Sequence, residues 1–224
     1  MPNETAHRRD SHRQALVDGS RLLVERGLNQ GTAGNLSLRD GDAMLITPSG
    51  VPPEDIEPAM IAVMPLDGNG TWSGPKVPSS EWRLHRDILR HREDVHAVVH
   101  THSLYATVLA IQRRSIPAIH YMIAAFGGSS IRCTPYAPFG TQALSDLIVD
   151  HLGPRHGVLL GNHGMVTTGH TMDQALWRAS ELETLAKMFF LASQDPGPVI
   201  LDDAEIERTT ERFASYGMTA EPDR

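Results

Sequence analysis

Two histidines, His100 and His102, stand two positions apart in the otherwise apolar stretch "DVHAVVHTHS". Alternate side chains of a β-strand point to the same face, so the two imidazoles would start about 7 Å apart at the backbone and could converge on one cation. The pair alone is weak evidence, because 12 histidines placed at random in 224 residues give roughly 0.6 such pairs. A metal site therefore needs a third ligand.

A candidate third ligand is His163 in "GNHGMV", which lies between two apolar segments predicted to be strands. Short loops at the edge of a sheet commonly carry binding residues. Three neutral imidazoles with one or two open positions form the arrangement of a catalytic zinc. The spacing does not show whether His163 meets the pair. The other histidines, including His85 on a helix predicted to lie at the surface, are not predicted to be ligands.

Glu81 in "VPSSEWRLH" is a candidate catalytic carboxylate at the start of a predicted helix. A metal that polarises a carbonyl or hydroxyl group needs a base beside it, and a glutamate can serve. Alternatively, an acidic residue in a first helical turn only complements the helix dipole. The residues alone leave both interpretations open.

Three short segments of small residues could bind a phosphate, because backbone N–H groups and hydroxyls in such loops form anion sites. The candidates are Asn35 of "GTAGN", Ser49 and Gly50 of "TPSG", and Ser79 and Ser80 before the glutamate. Ser79 and Ser80 could equally cap the helix. No segment matches the P-loop or dinucleotide fingerprint, which argues against a nucleotide ligand.

Composition limits the kinds of partner. The net charge of −7 argues against nucleic acid and against an anionic membrane surface, since both favour a concentrated basic face. No window approaches the roughly 18 apolar residues of a membrane span, and the first ten residues are too polar for a signal peptide. The single cysteine, Cys133, cannot form an internal disulfide. We expect a cytoplasmic protein with a small-molecule substrate.

The elements that must position these side chains alternate irregularly along the chain. The pattern predicts an amphipathic helix over 11–26, a hairpin around 36–47, a helix from Ser79 to about His91, and a long helix over about 172–193. Several strands are joined by short turns, which favours a mixed or mainly antiparallel sheet with helices on its faces. We expect one domain over 1–224, with flexible ends at 1–10 and 218–224.

The motifs occur in an order that resembles the class II aldolase and adducin-head family. They are "GTAGNLS", "LITPSG", "PSSEW", "AVVHTHS", "IPAIHYMIAAFGG", "PYAPFGT", "NHG" and "ALWRASELE", and they extend from about Ser11 to Tyr216. The resemblance implies a three-layer α/β/α sandwich around a mostly antiparallel sheet. It also implies a homotetramer with active sites between subunits, and the cleavage of a ketose 1-phosphate, first of all L-fuculose 1-phosphate, to dihydroxyacetone phosphate and an aldehyde.

The resemblance assigns roles to individual residues. It implies Zn²⁺ ligands at His100, His102 and His163, and an acid/base residue at Glu81. It implies a phosphate pocket formed by Asn35, Ser49, Gly50, Ser79 and Ser80. Tyr121, reaching in from a neighbouring subunit, would be the proton donor to the aldehyde oxygen. Phe139 and Tyr216 would line the aldehyde pocket.

Other activities in the same family stay open as alternatives. They are a deoxypentulose-phosphate aldolase, a methylthioribulose-phosphate dehydratase, a pentulose-5-phosphate 4-epimerase, and a non-catalytic module like the adducin head. The presence of the three histidines and the glutamate argues against the last. Phe126 stands where the fuculose enzymes tend to have a smaller residue, so a smaller aldehyde would be preferred if Phe126 lined the pocket.

Overall fold

The computed structural model of the protein describes residues 2–194 and 196–215, and an eight-stranded sheet lies at its centre. The strands are β1 (Asn35–Asp40), β2 (Ala43–Ile46), β3 (Ala62–Pro65), β4 (Ala97–Thr101), β5 (Ile116–Pro117), β6 (Ser130–Cys133), β7 (Gly157–Leu160) and β8 (Gly164–Gly169). Their order across the sheet is β3-β2-β1-β4-β8-β7-β6-β5. Six of the seven neighbouring pairs are antiparallel, and β6 with β7 is the parallel one. The sheet is therefore mixed, with the antiparallel majority that was predicted.

Helices cover both faces of this sheet. They are α1 (Pro2–Glu25), α2 (Trp82–His91), α3 (Leu104–Ile111), α4 (Gln142–Leu152), α5 (Met172–Ala192) and α6 (Asp203–Ser215), with a short 3-10 helix at Tyr121–Phe126. One apolar cluster joins α1, α3 and α5 to the sheet, and a second cluster joins α2 and α4 to the opposite face. The three-layer α/β/α sandwich is confirmed.

Strand β4 shows how the pleat divides its side chains between the two layers. Ala97 and Val99 lie in the cluster with α5, whereas Val98 lies in the cluster with α2 and α4. His100 has the parity of Val98, since alternate residues share a face. Its imidazole is therefore directed to the layer that contains the start of α2.

Helix α1 begins at Pro2, so the predicted start near Ser11 is wrong. The earlier turns carry Arg8 and Arg9, which donate hydrogen bonds to the two carboxylate oxygens of Asp40 in β1. These contacts join residues more than 30 positions apart and leave no mark in the local apolar pattern. Residues 218–224 lie outside the described part of the chain, and the single-domain organisation stays a prediction.

None of the helices in the described residues is long and apolar enough to span a lipid bilayer.

Candidate active site

Three histidines and one glutamate converge at the ends of the central strands, where β4 stops and the turn between β7 and β8 lies. His100 lies in β4, His102 lies just beyond its end, His163 lies in the turn between β7 and β8, and Glu81 immediately precedes α2. Each of the four residues offers one ligand atom, and these atoms all lie within 4.8 Å of one another. The structure thus brings together the three predicted metal ligands and the predicted base.

Strand pairing explains why His163 joins a pair that lies 61 to 63 residues earlier in the sequence. His100 is directly opposite Val166 of β8, and β8 forms a tight hairpin with β7. Asn162 occupies the hairpin turn with a φ of 57°, in the left-handed region that asparagine tolerates. The turn therefore ends beside the carboxyl end of β4, where His102 follows.

Gly164 allows the close approach of the hairpin to β4. A Cβ atom at this position would lie 2.5 Å from the carbonyl oxygen of Thr101 and 2.8 Å from the ring of His102. Both separations are shorter than van der Waals contact, so a larger residue would push the hairpin and the His102 ring apart. The glycine of "NHG" is thus required by packing around the predicted metal ligands.

The contacts within the cluster are short and polar. The Glu81 Oε2 atom lies 3.1 Å from His100 Nε2, and Glu81 Oε1 lies 3.3 Å from His163 Nε2. The Nε2 atoms of His100 and His102 are 3.1 Å apart. The three rings meet edge to face, with centroids 4.8–4.9 Å apart. All four side chains therefore direct donor atoms to one point.

The hydrogen bond on the far side of His100 determines what its ring presents to this point. His100 Nδ1–H donates to the carbonyl oxygen of Met165 at 2.9 Å, so the Nε2 atom of a neutral ring carries a lone pair. This lone pair faces both a carboxylate oxygen and a second imidazole nitrogen. Among the described residues, Glu81 Oε1 is also buried without a hydrogen-bond partner. Converging lone pairs of this kind fit a divalent cation with nitrogen and oxygen ligands.

The pKa values show how strongly the four groups interact. Burial raises the pKa of Glu81, but His100, His163 and a hydrogen bond from Asn35 outweigh it and hold that pKa far below its usual range. Burial and the neighbouring His100 lower the pKa of His102 and that of His163 to about 4 each. Glu81 outweighs burial at His100 and raises its pKa. The carboxylate is thus ionised and two imidazoles are neutral, as metal ligands must be.

Asn35, a predicted phosphate ligand, contacts Glu81 directly. Its Nδ2 atom donates to Glu81 Oε2 at 3.0 Å, and its Oδ1 atom lies 2.6 Å from His85 Nε2. The prediction that His85 lies at the surface is wrong, because its side chain is fully buried. His85 follows Glu81, the N-cap of α2, by one helical turn, so the two residues lie on the same side of the helix. This spacing is the sequence signal that could have identified His85.

The predicted phosphate loops are held against each other by strand-like contacts. The backbone N–H of Thr47 donates to Leu36, that of Ser79 donates to Thr47, and that of Ser49 donates to Val77. Ser79 is buried, and its hydroxyl accepts a hydrogen bond from the backbone N–H of Glu81 at 3.2 Å, so it serves at least as a local cap. Ser49, Gly50 and Ser80 are exposed beside it.

A cavity of about 350 Å³ opens at the cluster. Besides Glu81, His102 and His163, its lining includes Phe139, which was predicted, and Tyr136 and Asn162, which were not assigned roles. Tyr136 belongs to the "PYAPFG" motif, and this membership is the sequence signal that could have identified it.

The remaining predicted residues lie elsewhere. Tyr121 lies in a different groove, with its ring near His120 and Phe213 and 49% of its surface exposed. Tyr216 lies outside the described residues. Phe126 is fully buried and packs closely over Gly157. Phe126 therefore does not line the cavity, and the reason for expecting a smaller aldehyde does not hold.

Comparisons with known proteins agree with this geometry. The sequence model of the family described as Class II Aldolase and Adducin N-terminal domain matches residues 14–190. A 5-methylthioribulose-1-phosphate/5-deoxyribulose-1-phosphate aldolase of Rhodospirillum rubrum is 48% identical over 209 residues, which are 93% of this chain and 94% of that protein. The L-fuculose phosphate aldolase of Escherichia coli K12 is 47% identical over 92% of this chain and 95% of its own. A solved L-fuculose 1-phosphate aldolase superposes with a TM-score of 0.88 at 39% identity, covering 91% of this chain and 96% of that one.

Proposed function

Because the chain belongs to the class II aldolase and adducin N-terminal domain family and is an aldolase-type lyase, we propose that it cleaves a ketose 1-phosphate between its third and fourth carbons. The products would be dihydroxyacetone phosphate and an aldehyde. The observation that carries the proposal is the convergence of three imidazoles and a buried carboxylate next to three small-residue loops. L-fuculose 1-phosphate is the first candidate substrate.

We propose Zn²⁺ as the metal, held by His100, His102 and His163. Imidazole nitrogens and carboxylate oxygens are ligands that zinc prefers, and a site with three protein ligands keeps a position open for substrate. When bound, the ion would stabilise the negative charge that develops on the ketone oxygen during cleavage. The Glu81 carboxylate completes the donor set when no substrate is present.

The proton transfers are assigned to residues of the protein. In cleavage, the proton of the hydroxyl on the fourth carbon passes to Tyr121, which releases its own phenolic proton to solvent, as the bond between the third and fourth carbons breaks and the aldehyde carbonyl forms. The bonding electrons remain on the dihydroxyacetone phosphate fragment, and Glu81, which takes up a proton from solvent, delivers it to the third carbon. In the synthetic direction Glu81 removes that proton and Tyr121 protonates the aldehyde oxygen.

Tyr121 would act on the site of a neighbouring subunit. Its groove is separate from the cavity at the histidines, and its ring is half exposed, which supports contact with a second copy of the chain. We therefore propose a homotetramer with active sites between subunits. We also propose a cytoplasmic location, which the free thiol of Cys133 supports.

Phosphate recognition is proposed for Asn35, Ser49, Gly50, Ser79 and Ser80. The exposed hydroxyls and backbone N–H groups of these loops can donate to phosphate oxygens without a cationic side chain. Asn35 is the one member whose side-chain amide is engaged elsewhere, because it contacts Glu81 and His85.

A second candidate substrate is 5-deoxyribulose 1-phosphate, because the Rhodospirillum rubrum relative carries that compound in its name. Cleavage of this pentulose would release acetaldehyde, whereas L-fuculose 1-phosphate would release lactaldehyde. The two differ only in the aldehyde portion, so Tyr136, Phe139 and Asn162 in the cavity lining are the residues placed to discriminate between them.

The test is to supply the zinc-loaded protein with both ketose 1-phosphates and their unphosphorylated ketoses, and to measure dihydroxyacetone phosphate with a coupled dehydrogenase. We expect product from at least one phosphate ester and a much lower rate from the free sugar. Elimination or epimerisation products without dihydroxyacetone phosphate would refute the aldolase assignment. Glu81→Gln should retain phosphate binding but lose solvent hydrogen exchange into dihydroxyacetone phosphate.

A further inference from the structure

A buried chain of hydrogen bonds lies behind Glu81. Ser37 Oγ is 2.7 Å from His85 Nδ1, His85 Nε2 is 2.6 Å from Asn35 Oδ1, and Asn35 Nδ2 is 3.0 Å from Glu81 Oε2. Each of the four residues is at most 6% exposed. The chain joins strand β1 to helix α2 and ends on the carboxylate that faces the histidines.

The hydrogen bonds that link these four side chains can be donated in only one direction. A carboxylate accepts hydrogen bonds, so Asn35 must present its amide N–H to Glu81 and its oxygen to His85. The facing ring nitrogen, Nε2, must then carry the proton. In a neutral ring Nδ1 is an acceptor, and it takes the hydroxyl proton of Ser37. Every donor meets an acceptor, from Ser37 through His85 and Asn35 to Glu81.

Strand pairing keeps Asn35 in this position. Asn35 is directly opposite His100 in the antiparallel pair of β1 and β4, so both side chains point to the layer that contains α2. The backbone thus sets the Cβ of Asn35, but it does not set the rotation of the carboxamide. His85 does so, because a flipped amide would place an N–H against its ring N–H and an oxygen against the carboxylate.

We propose that His85 is a positioning residue for Glu81. By holding the Asn35 carboxamide in one orientation, it fixes the Glu81 carboxylate towards the three histidines and determines both metal affinity and the efficiency of the base. The inference rests on the proposed function, since it takes Glu81 as a metal ligand and base. Outer partners of ligating carboxylates typically contribute about 10- to 100-fold to metal affinity or activity.

The competing explanation is that His85 only fills the core between β1 and α2. Packing and positioning make different predictions for a double-mutant cycle with Asn35. If His85 acts through Asn35, removing both residues should weaken the site little more than removing Asn35 alone. If His85 only packs, the losses in metal affinity should multiply.

The experiment compares Asn35→Ala, His85→Leu and the double variant in the full-length protein. The first measurement is the affinity for Zn²⁺ without substrate, by competition with a chromophoric chelator. The second is the rate of deuterium exchange into dihydroxyacetone phosphate at saturating concentration. We expect each single variant to lose about 10- to 100-fold in affinity, and the double variant to lie within about threefold of Asn35→Ala.

Two further variants separate positioning from stability. His85→Gln places an amide N–H donor near the position of the His85 ring nitrogen and should recover most of the zinc affinity that His85→Leu loses. Ser37→Ala should show a smaller loss of zinc affinity than His85→Leu, and it replaces that variant in the experiment if His85→Leu does not fold. His91→Phe on the same helix is the matched control, because the Nδ1–H of His91 donates to the Asp87 carbonyl oxygen at 2.8 Å and the ring lies outside the cavity at the cluster. We expect it to retain wild-type affinity.

Multiplicative losses, or unchanged zinc affinity in a folded His85→Leu protein, would overturn the positioning role while leaving the aldolase proposal intact. Conversely, a wild-type protein that binds zinc but neither cleaves ketose phosphates nor exchanges deuterium would overturn the aldolase proposal, and the affinity cycle would still decide the role of His85. A wild-type protein without zinc affinity would overturn both.

Discussion

Glu183 in α5 caps helix α3, which begins shortly after β4 and the proposed metal ligand His102, and its removal gives a prediction that links stability to the site. Its Oε2 atom accepts from the Ser103 hydroxyl at 2.7 Å and from the Ala106 N–H at 2.9 Å, and its Oε1 atom accepts from the Tyr105 N–H at 2.8 Å. Ser103 occupies the N-cap position of α3, but its own hydroxyl makes no capping bond. The cap is therefore supplied by Glu183 from another helix.

The magnitude follows from what Glu183→Ala leaves without a partner. Two backbone N–H groups lose a charged acceptor, and the Ser103 hydroxyl can turn to another one. A lost cap costs about 0.5–2 kcal/mol, and a hydrogen bond to a charged group contributes about 1.5–3 kcal/mol. We expect the free energy of unfolding to fall by about 3 kcal/mol. At roughly 2–4 °C per kcal/mol for a chain of this size, Tm would fall by about 9 °C.

The effect should extend to the metal site because Ser103 directly follows His102. Loosening the first turn of α3 loosens the backbone that carries this ligand, so zinc affinity should fall together with stability. Thermal melts and chelator competition on the same preparations measure the two quantities. Glu183→Gln keeps one acceptor oxygen and should show about half of the loss in stability.

Glu181→Ala is the matched control, since it removes the same charge two positions earlier on α5 and thus on another side of the helix. Glu181 is partly buried, but no backbone N–H of the described residues donates to its carboxylate, so we expect the stability of this variant to lie within about 0.5 kcal/mol of the wild type. The capping argument would be refuted if Glu183→Ala were equally mild, or if it lowered Tm while zinc affinity stayed at the wild-type value.

Three further predictions concern packing, pH and the metal. Gly164→Ala should weaken zinc binding and cost about 1–3 kcal/mol in unfolding free energy, because its Cβ would collide with the Thr101 carbonyl and the His102 ring; wild-type affinity would contradict this. Burial raises the pKa of Asp40, but hydrogen bonds from Arg9 and Arg8 outweigh it and lower that pKa. The resulting stability is present above the usual carboxyl pKa of about 3.9 and is lost as pH falls through the lower folded value, so acid melts of Asp40→Asn should be less steep than those of the wild type. Chelation should abolish cleavage and lower Tm, and Zn²⁺ should restore both; full activity after exhaustive chelation would exclude a metal role.

The local sequence pattern was enough to predict the features that depend on the alternation of side chains along a strand and on the order of the motifs. The alternation of side chains along β4 predicted the direction of His100, and His102 lies one residue beyond the strand with its ring beside that of His100. The apolar stripe of α5 predicted its burial. Sequence spacing could not establish that the side chain of His163 lies next to His100 and His102, because this contact depends on which strand pairs with β4. That neighbour is β8, and no local pattern in the chain encodes the pairing.

The predictions that were wrong concern long-range polar contacts. The sequence "WRLHRDILRH" made His85 look like an exposed member of a charged helix, yet a serine and an asparagine from β1 satisfy both of its nitrogens in the interior. The first turns of α1 were missed for a similar reason, since they pair with Asp40 on β1. A polar residue can be buried when its partner comes from a distant segment, and hydropathy contains no information about that partner.

The low pKa of Glu81 bears on how this carboxylate could act as a base. Burial raises the pKa of Glu81, but while its Oε2 atom lies 3.1 Å from His100, contacts with His100, His163 and Asn35 outweigh burial and hold that pKa far below its usual range; such a carboxylate takes up a proton poorly. If Glu81 is the base, as proposed, it would have to turn away from the histidines when substrate occupies the site. Glu81 would then be a weak base in the free site and a stronger base once substrate moves it away from the histidines. Proton removal would thereby be restricted to the occupied site.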